Sequence, residues 1–367
     1  MKFQCMQEDF SRALQVVSRA VATRSTLPVL SGIYFELDSA RLRCLGTDLE
    51  IGIETSIPVT AVEGNGNFVL PGKTIADLVR KLSTEIVKME ISETANQAIV
   101  KAGKSVFHLN LMSVSDYPSN PSRKEETIWT LTDVFLRDAI RRTNFATLPN
   151  DSRPFLSSIL LELEGNRFRA VATDVSRLAV QEGLLETAAE SKISMMVPVR
   201  AMQEVFKLLS GAEEERVEVA VSERQIMFRC REASLFSRLI TGQFPQYEQV
   251  IPKSSATIAT INKNDLAAAL DRVSLFVSSV RMIVSQGRIQ LNANGPDVGD
   301  AYEEIEAAIE GPDLEIGFNG KFLIDFLKVT DSETVRMSFN GARTPVLMDT
   351  QDDENYLYVV MPLLLSE

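Results

Sequence analysis

The chain has 367 residues, 45% of them hydrophobic, a net charge of −12, one histidine and three cysteines. That length suits two or three domains with real cores; no apolar run approaches the ~18 residues of a membrane span, the start Met1-Lys2-Phe3-Gln4-Cys5 lacks the secretory pattern, and scattered Cys5, Cys44 and Cys230 exclude a disulfide framework, which points to the cytoplasm. An acidic chain can engage nucleic acid only if its cations are gathered on one surface.

In chain order, the first helix is signalled at Glu8-Asp9-Phe10, where an acidic cap precedes an apolar-periodic run. Val29-Leu-Ser-Gly-Ile-Tyr-Phe-Glu-Leu37 follows as an extended segment, and a second helix runs through Lys73, Asp77 and Arg80. Alternation over Val106-Phe-His-Leu-Asn-Leu111 predicts a strand with His108 on its polar face. Ser119 to Glu126 is a polar, Pro- and Ser-bearing linker.

The pattern then repeats. A helix starts at Thr132-Asp133-Val134, and Phe155-Leu-Ser-Ser-Ile-Leu-Leu-Glu-Leu163 matches Val29 to Leu37 at five of nine positions. The same shift lays Arg43, Thr47 and Asp48 over Arg169, Thr173 and Asp174; one residue further, Pro71-Gly-Lys73 falls on Pro198-Val-Arg200, and Tyr117-Pro118 on Phe244-Pro245. A second linker, Pro252 to Ala256, opens a fainter third copy, with a helix start at Asn264-Asp265-Leu266 and Phe318-Asn-Gly-Lys321 in the place of the segment ending at Arg200. Alternating runs such as Arg216 to Val221 and Val335 to Phe339 supply strands. The expectation is an α+β fold of three domains, 1–122, 123–252 and 253–367, each of antiparallel sheets with two helices on one face.

The second helices carry the chemistry. Lys73/Asp77/Arg80, Arg200/Glu204/Lys207 and Lys321/Asp325/Lys328 each follow a basic, acidic, basic order at i, i+4, i+7. At about 100° per residue the three positions share one helix face, and in the first copy Ile75, Leu78, Val79 and Leu82 occupy the other. The acidic residue can pair locally at i, i+4 and leave a net positive stripe. The first helices add Arg12 and Arg19, then Arg137 and Arg141, then Lys263 and Arg272. Repeats that turn such helices to one side line a channel that binds phosphates without reading bases. Catalysis has little to work with. There is no P-loop, G-x-G-x-x-G or G-x-S-x-G, and no cluster of Cys, His and carboxylates at metal spacing. Glu303-Glu304 and Asp352-Asp353 read as solvated loop charges. No enzyme, cofactor or metal is expected.

Arg24-Ser-Thr-Leu-Pro-Val-Leu30, Gly46-Thr-Asp-Leu-Glu50, Ala172-Thr-Asp-Val-Ser-Arg-Leu178, Phe244-Pro-Gln-Tyr247, Glu315-Ile-Gly-Phe-Asn319 and Tyr358-Val-Val-Met-Pro362 together resemble the bacterial sliding clamps, the beta subunits of DNA polymerase III holoenzyme, from Met1 to the last strand. The resemblance implies a DNA polymerase processivity factor: a head-to-tail homodimer forming a six-domain ring round duplex DNA, served by a clamp loader and gripping replicative and repair polymerases by a short peptide. It places that peptide cleft between the second and third domains, at Leu156, Thr173, Val175, Arg177, Leu178, Pro245, Val250, Phe322, Pro345, Val359, Val360, Met361, Pro362 and Leu363. It implies DNA contact by the loop residues Arg24, Asn150 and Arg153 beside the helix cations Lys73, Arg80, Arg137, Arg141, Arg200, Lys207, Lys321 and Lys328. It implies a dimer contact through Phe107 and Leu109 on one edge and Leu275 and Phe276 on the other. The chain departs from the usual pattern at Val175-Ser176, where many clamps have Gly and His. It also departs in a short segment after Phe276 and in a tail Leu363-Leu-Leu-Ser-Glu367 without a terminal arginine. The alternative is a monomeric protein-binding scaffold that does not encircle DNA.

Overall fold

The computed structural model describes residues 1–118, 127–149 and 151–364. The first linker, Ser119 to Glu126, and Asn150 lie outside the described residues, while Pro252 to Ala256 is irregular chain. Among the described residues there are six α-helices, two per repeat: α1 (Gln7–Val17), α2 (Gly72–Lys81), α3 (Asp133–Thr143), α4 (Val199–Leu208), α5 (Lys263–Val273) and α6 (Gly320–Val329). All the strand pairs among the described residues are antiparallel, so the α+β expectation holds.

α3 begins at Asp133, where its signal stands, but α1 and α5 begin earlier than theirs. Chain enters α1 straight from Met6 with no side-chain cap, and Glu8 and Asp9 sit inside its first turn. α5 is capped by Asn262, whose side chain accepts from the N–H groups of Asn264 and Asp265. Acidic residues at a helix start serve the helix dipole as well as the cap, which is why the signal is displaced. Asp133 does something else: buried, it accepts from the backbone N–H of Ser210 (3.0 Å) and Gly211 (2.6 Å).

Packing divides three repeats into two compact units, Met1–Val134 with Lys207–Leu239 and Phe135–Phe206 with Ile240–Glu367. The reason is that sheets run through the repeat joints. In the first unit, strand Ile51–Pro58 of repeat one takes strand Ala233–Arg238 of repeat two as its neighbour, with Ile51 opposite Ser237 and Thr55 opposite Ala233. In the second unit, strand Arg177–Pro198 takes the final strand Tyr356–Val360 in the same way, with Arg177 opposite Val360 and Gln181 opposite Tyr356. The first unit is filled by Phe3, Phe10, Phe35 and Phe68, the last two stacked with centroids 4.9 Å apart. The second is filled by Phe168, Phe318, Phe326, Phe339 and Tyr358. Each such ring contributes about 1.5–3 kcal/mol by leaving water. The helices press close to the sheets: a Cβ on Gly183 would fall 2.2 Å from the ring of Phe135 in α3.

The repeat is visible in the hydrogen bonds as well. Met112, Ile240 and Leu363 each donate a backbone N–H across an isolated bridge, to Val69, Met196 and Gly317 respectively. Val69 and Met196 are separated by the shift found between the first two repeats.

Candidate partner cleft and DNA-facing helices

Strands Ser158–Thr173 and Arg177–Pro198 are joined by a tight turn that Thr173 and Asp174 build. The Thr173 hydroxyl donates to the Arg177 carbonyl (2.7 Å) and accepts from the Val175 N–H (3.1 Å). Asp174 Oδ1 accepts from the N–H groups of Ser176 and Arg177, both at 3.0 Å. Short polar side chains bind nearby backbone in this way and stabilise turns. The turn forces Val175 to φ +78°, a left-handed conformation that a β-branched side chain adopts only under strain. Glycine would adopt it freely.

Arg177 closes the turn from below. It is 8% exposed. Nε donates to Asp174 (2.8 Å), Nη1 to Asp325 in α6 (2.6 Å) and Nη2 to the Phe145 carbonyl (2.6 Å). Its guanidinium lies 4.4 Å from the ring centroid of Phe322 and 5.4 Å from that of Phe145. Burial opposes the cation, but Tyr358, Asp325 and Asp174 overcome that and hold its proton more tightly than usual. Arg177 is therefore a fixed support.

The implied cleft residues sort by depth. Leu156, Leu178, Val359 and Val360 are buried. Leu178 and Val359 belong to a core cluster with Leu160, Val171, Val180, Met196 and Tyr247, against which Phe244, Ile251 and Leu347 pack. Tyr247 pins the Pro245–Val250 segment over this cluster, its hydroxyl donating to Glu162 at 2.6 Å. Thr173, Phe322, Pro345 and Pro362 are half-buried and Pro245 is exposed. Val175 (57%), Val250 (47%), Met361 (39%) and Leu363 (39%) leave apolar surface in water. The Met361 N–H donates to the Ser176 carbonyl at 2.8 Å, so the tail is fastened beside the turn. The final strand is thus buried through Val360, and exposure begins at Met361. Leu364 is exposed, and the last three residues lie outside the description.

The basic stripes are where the spacing put them. Lys73 and Arg80, Arg200 and Lys207, and Lys321 and Lys328 are all exposed, while Ile75 and Val79, Met202 and Val205, and Leu323 and Phe326 are buried. The acidic members behave differently from the local i, i+4 expectation. Asp77 pairs with Arg80 at i, i+3 (2.7 Å), and Asp325 is taken by Arg177. Arg24 and Arg153 are exposed, with Arg153 held by Asp151 (2.9 Å). Arg137 stacks on Phe206 with 4.5 Å to the ring centroid. Arg141 is bound by Asp331 (2.7 Å) and Asp138 (3.1 Å).

Family models of the DNA polymerase III beta subunit match residues 1–121 (N-terminal domain), 130–246 (central domain) and 248–364 (C-terminal domain). The chain belongs to the DNA polymerase III beta subunit family. A curated Beta sliding clamp of Bacillus subtilis is 30% identical over 377 aligned positions, covering 99% of each chain. The crystal structure of the B. subtilis sliding clamp superposes with a TM-score of 0.96 at 30% identity, and that of the Pseudomonas aeruginosa beta subunit with 0.94 at 29%, each over 100% of both chains.

The edges that the family resemblance assigns to the dimer are open. Strand Ser105–Asn110 ends its five-stranded sheet, with Phe107 and Leu109 half-buried on one side and His108 on the exposed side. Leu275 is 79% exposed and Phe276 half-buried after α5. Strand Gly299–Glu310 pairs through Gly299–Glu306 with one neighbour and through Ala307–Glu310 with another, so Gly299–Glu306 has one side unpaired. Sequence reasoning missed that second edge, and it missed Asp325, Phe145 and Tyr247 as supports of the cleft. Contacts of such long sequence separation leave no local signal. Among the described residues no group of Cys, His and carboxylates could hold a metal, and no helix is long and apolar enough to cross a membrane.

Proposed function

We propose that two copies of this chain close a ring round duplex DNA and hold polymerases there through the apolar surface at Val175, Val250, Met361 and Leu363. The observation that carries the DNA part is the exposed pair of cations on each of α2, α4 and α6 in a chain of net charge −12. Contacts to phosphates alone do not fix a position along the sequence, so a closed ring lined by twelve such helices would retain DNA and still slide. Acidic surface elsewhere opposes binding by the wrong side.

Ring closure follows from the repeat. Strand Ala233–Arg238 lies on Ile51–Pro58, and Tyr356–Val360 lies on Arg177–Pro198. Their counterpart in repeat one is Ser105–Asn110, at a sheet edge; the counterpart acceptor in repeat three is the half-open Gly299–Glu310. A second copy supplies each with its neighbour, head to tail, and two chains complete six repeats. The pairing also covers edges that would otherwise template aggregation. A clamp loader must open this ring.

The test is retention on nicked circular DNA after addition of a clamp loader and ATP, before and after linearisation. Retention on the circle with loss from the linear form is the expected result. Equal retention on both would mean ordinary surface binding, and a monomer of 40.7 kDa in gel filtration would favour the scaffold alternative. Replacing Arg24, Arg80 and Lys207 together by Glu should lower retention at least about tenfold and leave the dimer intact, since each phosphate contact adds to the salt-dependent affinity.

A further inference from the structure

The turn under the proposed cleft has a twin at the other repeat joint. Thr47 donates to the Ile51 carbonyl (2.8 Å) and accepts from the Leu49 N–H (3.0 Å); Asp48 accepts from Glu50 (3.0 Å) and Ile51 (2.9 Å). Leu49 is held at φ +79°, as Val175 is at +78°. The Arg238 N–H donates to the Glu50 carbonyl (3.0 Å), as Met361 does to Ser176. Pro118 stands in the place of Pro245. By strand pairing Phe236 and Ser237 face Gly52 and Ile51 as Val359 and Val360 face Leu178 and Arg177.

One exchange changes the space. Where the second joint has the buried Leu178, the first has Gly52, and a Cβ there would meet nothing nearer than 3.5 Å. Gly52 lines a cavity of about 270 Å³ together with Leu45, Leu49, Ile51, Pro118 and Phe236, with Arg238 at its rim. Arg238 is 64% exposed and meets Glu50 only at 3.9 Å; a pair this long and wet holds its partner weakly, so the guanidinium is available to an incoming carboxylate. Glu50 on the same rim suits a backbone N–H. Leu49 is a bulky apolar residue kept strained and partly exposed at the mouth, a conformation that persists where its surroundings impose it.

We infer that this cavity at the first joint is a second docking site, for a short peptide of another protein that presents a large apolar side chain beside a carboxylate. The inference rests on the repeat and on the cavity, so it stands or falls separately from ring closure. The probe is acetyl-Leu-Phe with a free carboxylate, compared with its C-terminal amide, and the readout is methyl NMR of the full-length protein. The expected result is saturable shifts at Leu45, Leu49 and Ile51 at or below about 10 mM, in the weak range of a two-side-chain ligand. Gly52→Leu, which fills the cavity, should abolish them. Leu49→Gly, which relieves the turn while removing the apolar wall, should weaken binding about tenfold. Arg238→Gln should weaken the acid and leave the amide unchanged. Shifts confined to Val175, Leu178 and Met361, or none at this concentration, would overturn the site; equal loss of acid and amide in Arg238→Gln would overturn the carboxylate.

Discussion

The two repeat joints have the same backbone and different interiors. Each is a Thr-Asp turn with a left-handed third residue, followed by a five-pair ladder to a strand of the next repeat. At the first joint the residue after the turn is Ile51, buried and apolar. At the second it is Arg177, with two carboxylates, a carbonyl and two rings around it. Further pairs reinforce the second joint: Arg141 with Asp331, Arg142 with Asp353, and the Tyr356 hydroxyl donating to the Arg142 carbonyl at 2.9 Å. The lesson is that a repeat conserves main-chain hydrogen bonding while side chains decide whether the joint is a space or a buttress.

The sharpest way to break that contrast is to remove the buttress. Arg177→Ala would leave Asp174 and Asp325 facing each other without their cation, and stranding buried charge costs about 3–5 kcal/mol. Hydrogen exchange in strand Tyr356–Val360 should lose protection by that amount. The equivalent charge deletion at the first joint, Arg238→Gln, should change exchange in strand Ala233–Arg238 by less than about 1 kcal/mol, because the pair is exposed. Equal effects at both joints would remove the distinction.

What the joints share should respond alike. Leu49 and Val175 have nearly the same positive φ. A left-handed L-residue costs about 1–2 kcal/mol, and glycine returns part of that through its greater freedom when unfolded. Val175→Gly and Leu49→Gly should therefore each stabilise by about 0.5–1 kcal/mol, read as a higher melting temperature of the same transition. A loss of stability in either would mean that its side chain packs for more than the strain it carries.

The outline of this was legible in the sequence because it is local or periodic. The i, i+4, i+7 cations reached solvent on α2, α4 and α6 as their spacing required, and the repeat laid Thr47-Asp48 over Thr173-Asp174, although only the hydrogen bonds show that both pairs build turns. The supports were not legible. Asp325 reads as part of a helix stripe, and only the fold brings it to Arg177, 148 residues away. Gly52 reads as an ordinary strand residue until its neighbours show an unfilled volume. The same holds for Arg141, which reads as a free cation on α3 and is bound to Asp331 from repeat three.

That last pair gives the smallest effect and a pH signature. The hydrogen bond from Arg141 holds the Asp331 carboxyl below its ordinary value of 3.8, against a contrary push from burial. A carboxyl whose folded value is depressed contributes stability above its unfolded value and loses it as pH falls through the folded one. Asp331 is 68% exposed, so solvent screening keeps the contribution below about 1 kcal/mol. Asp331→Asn should lower the melting temperature of the second unit slightly at neutral pH. The difference from the unmodified chain should shrink below about pH 4 and vanish in stronger acid, where both carry a neutral side chain. A difference that persists unchanged at low pH would mean that Asn disturbs the joint by shape and that the Arg141 pair contributes no charge-dependent stability to it.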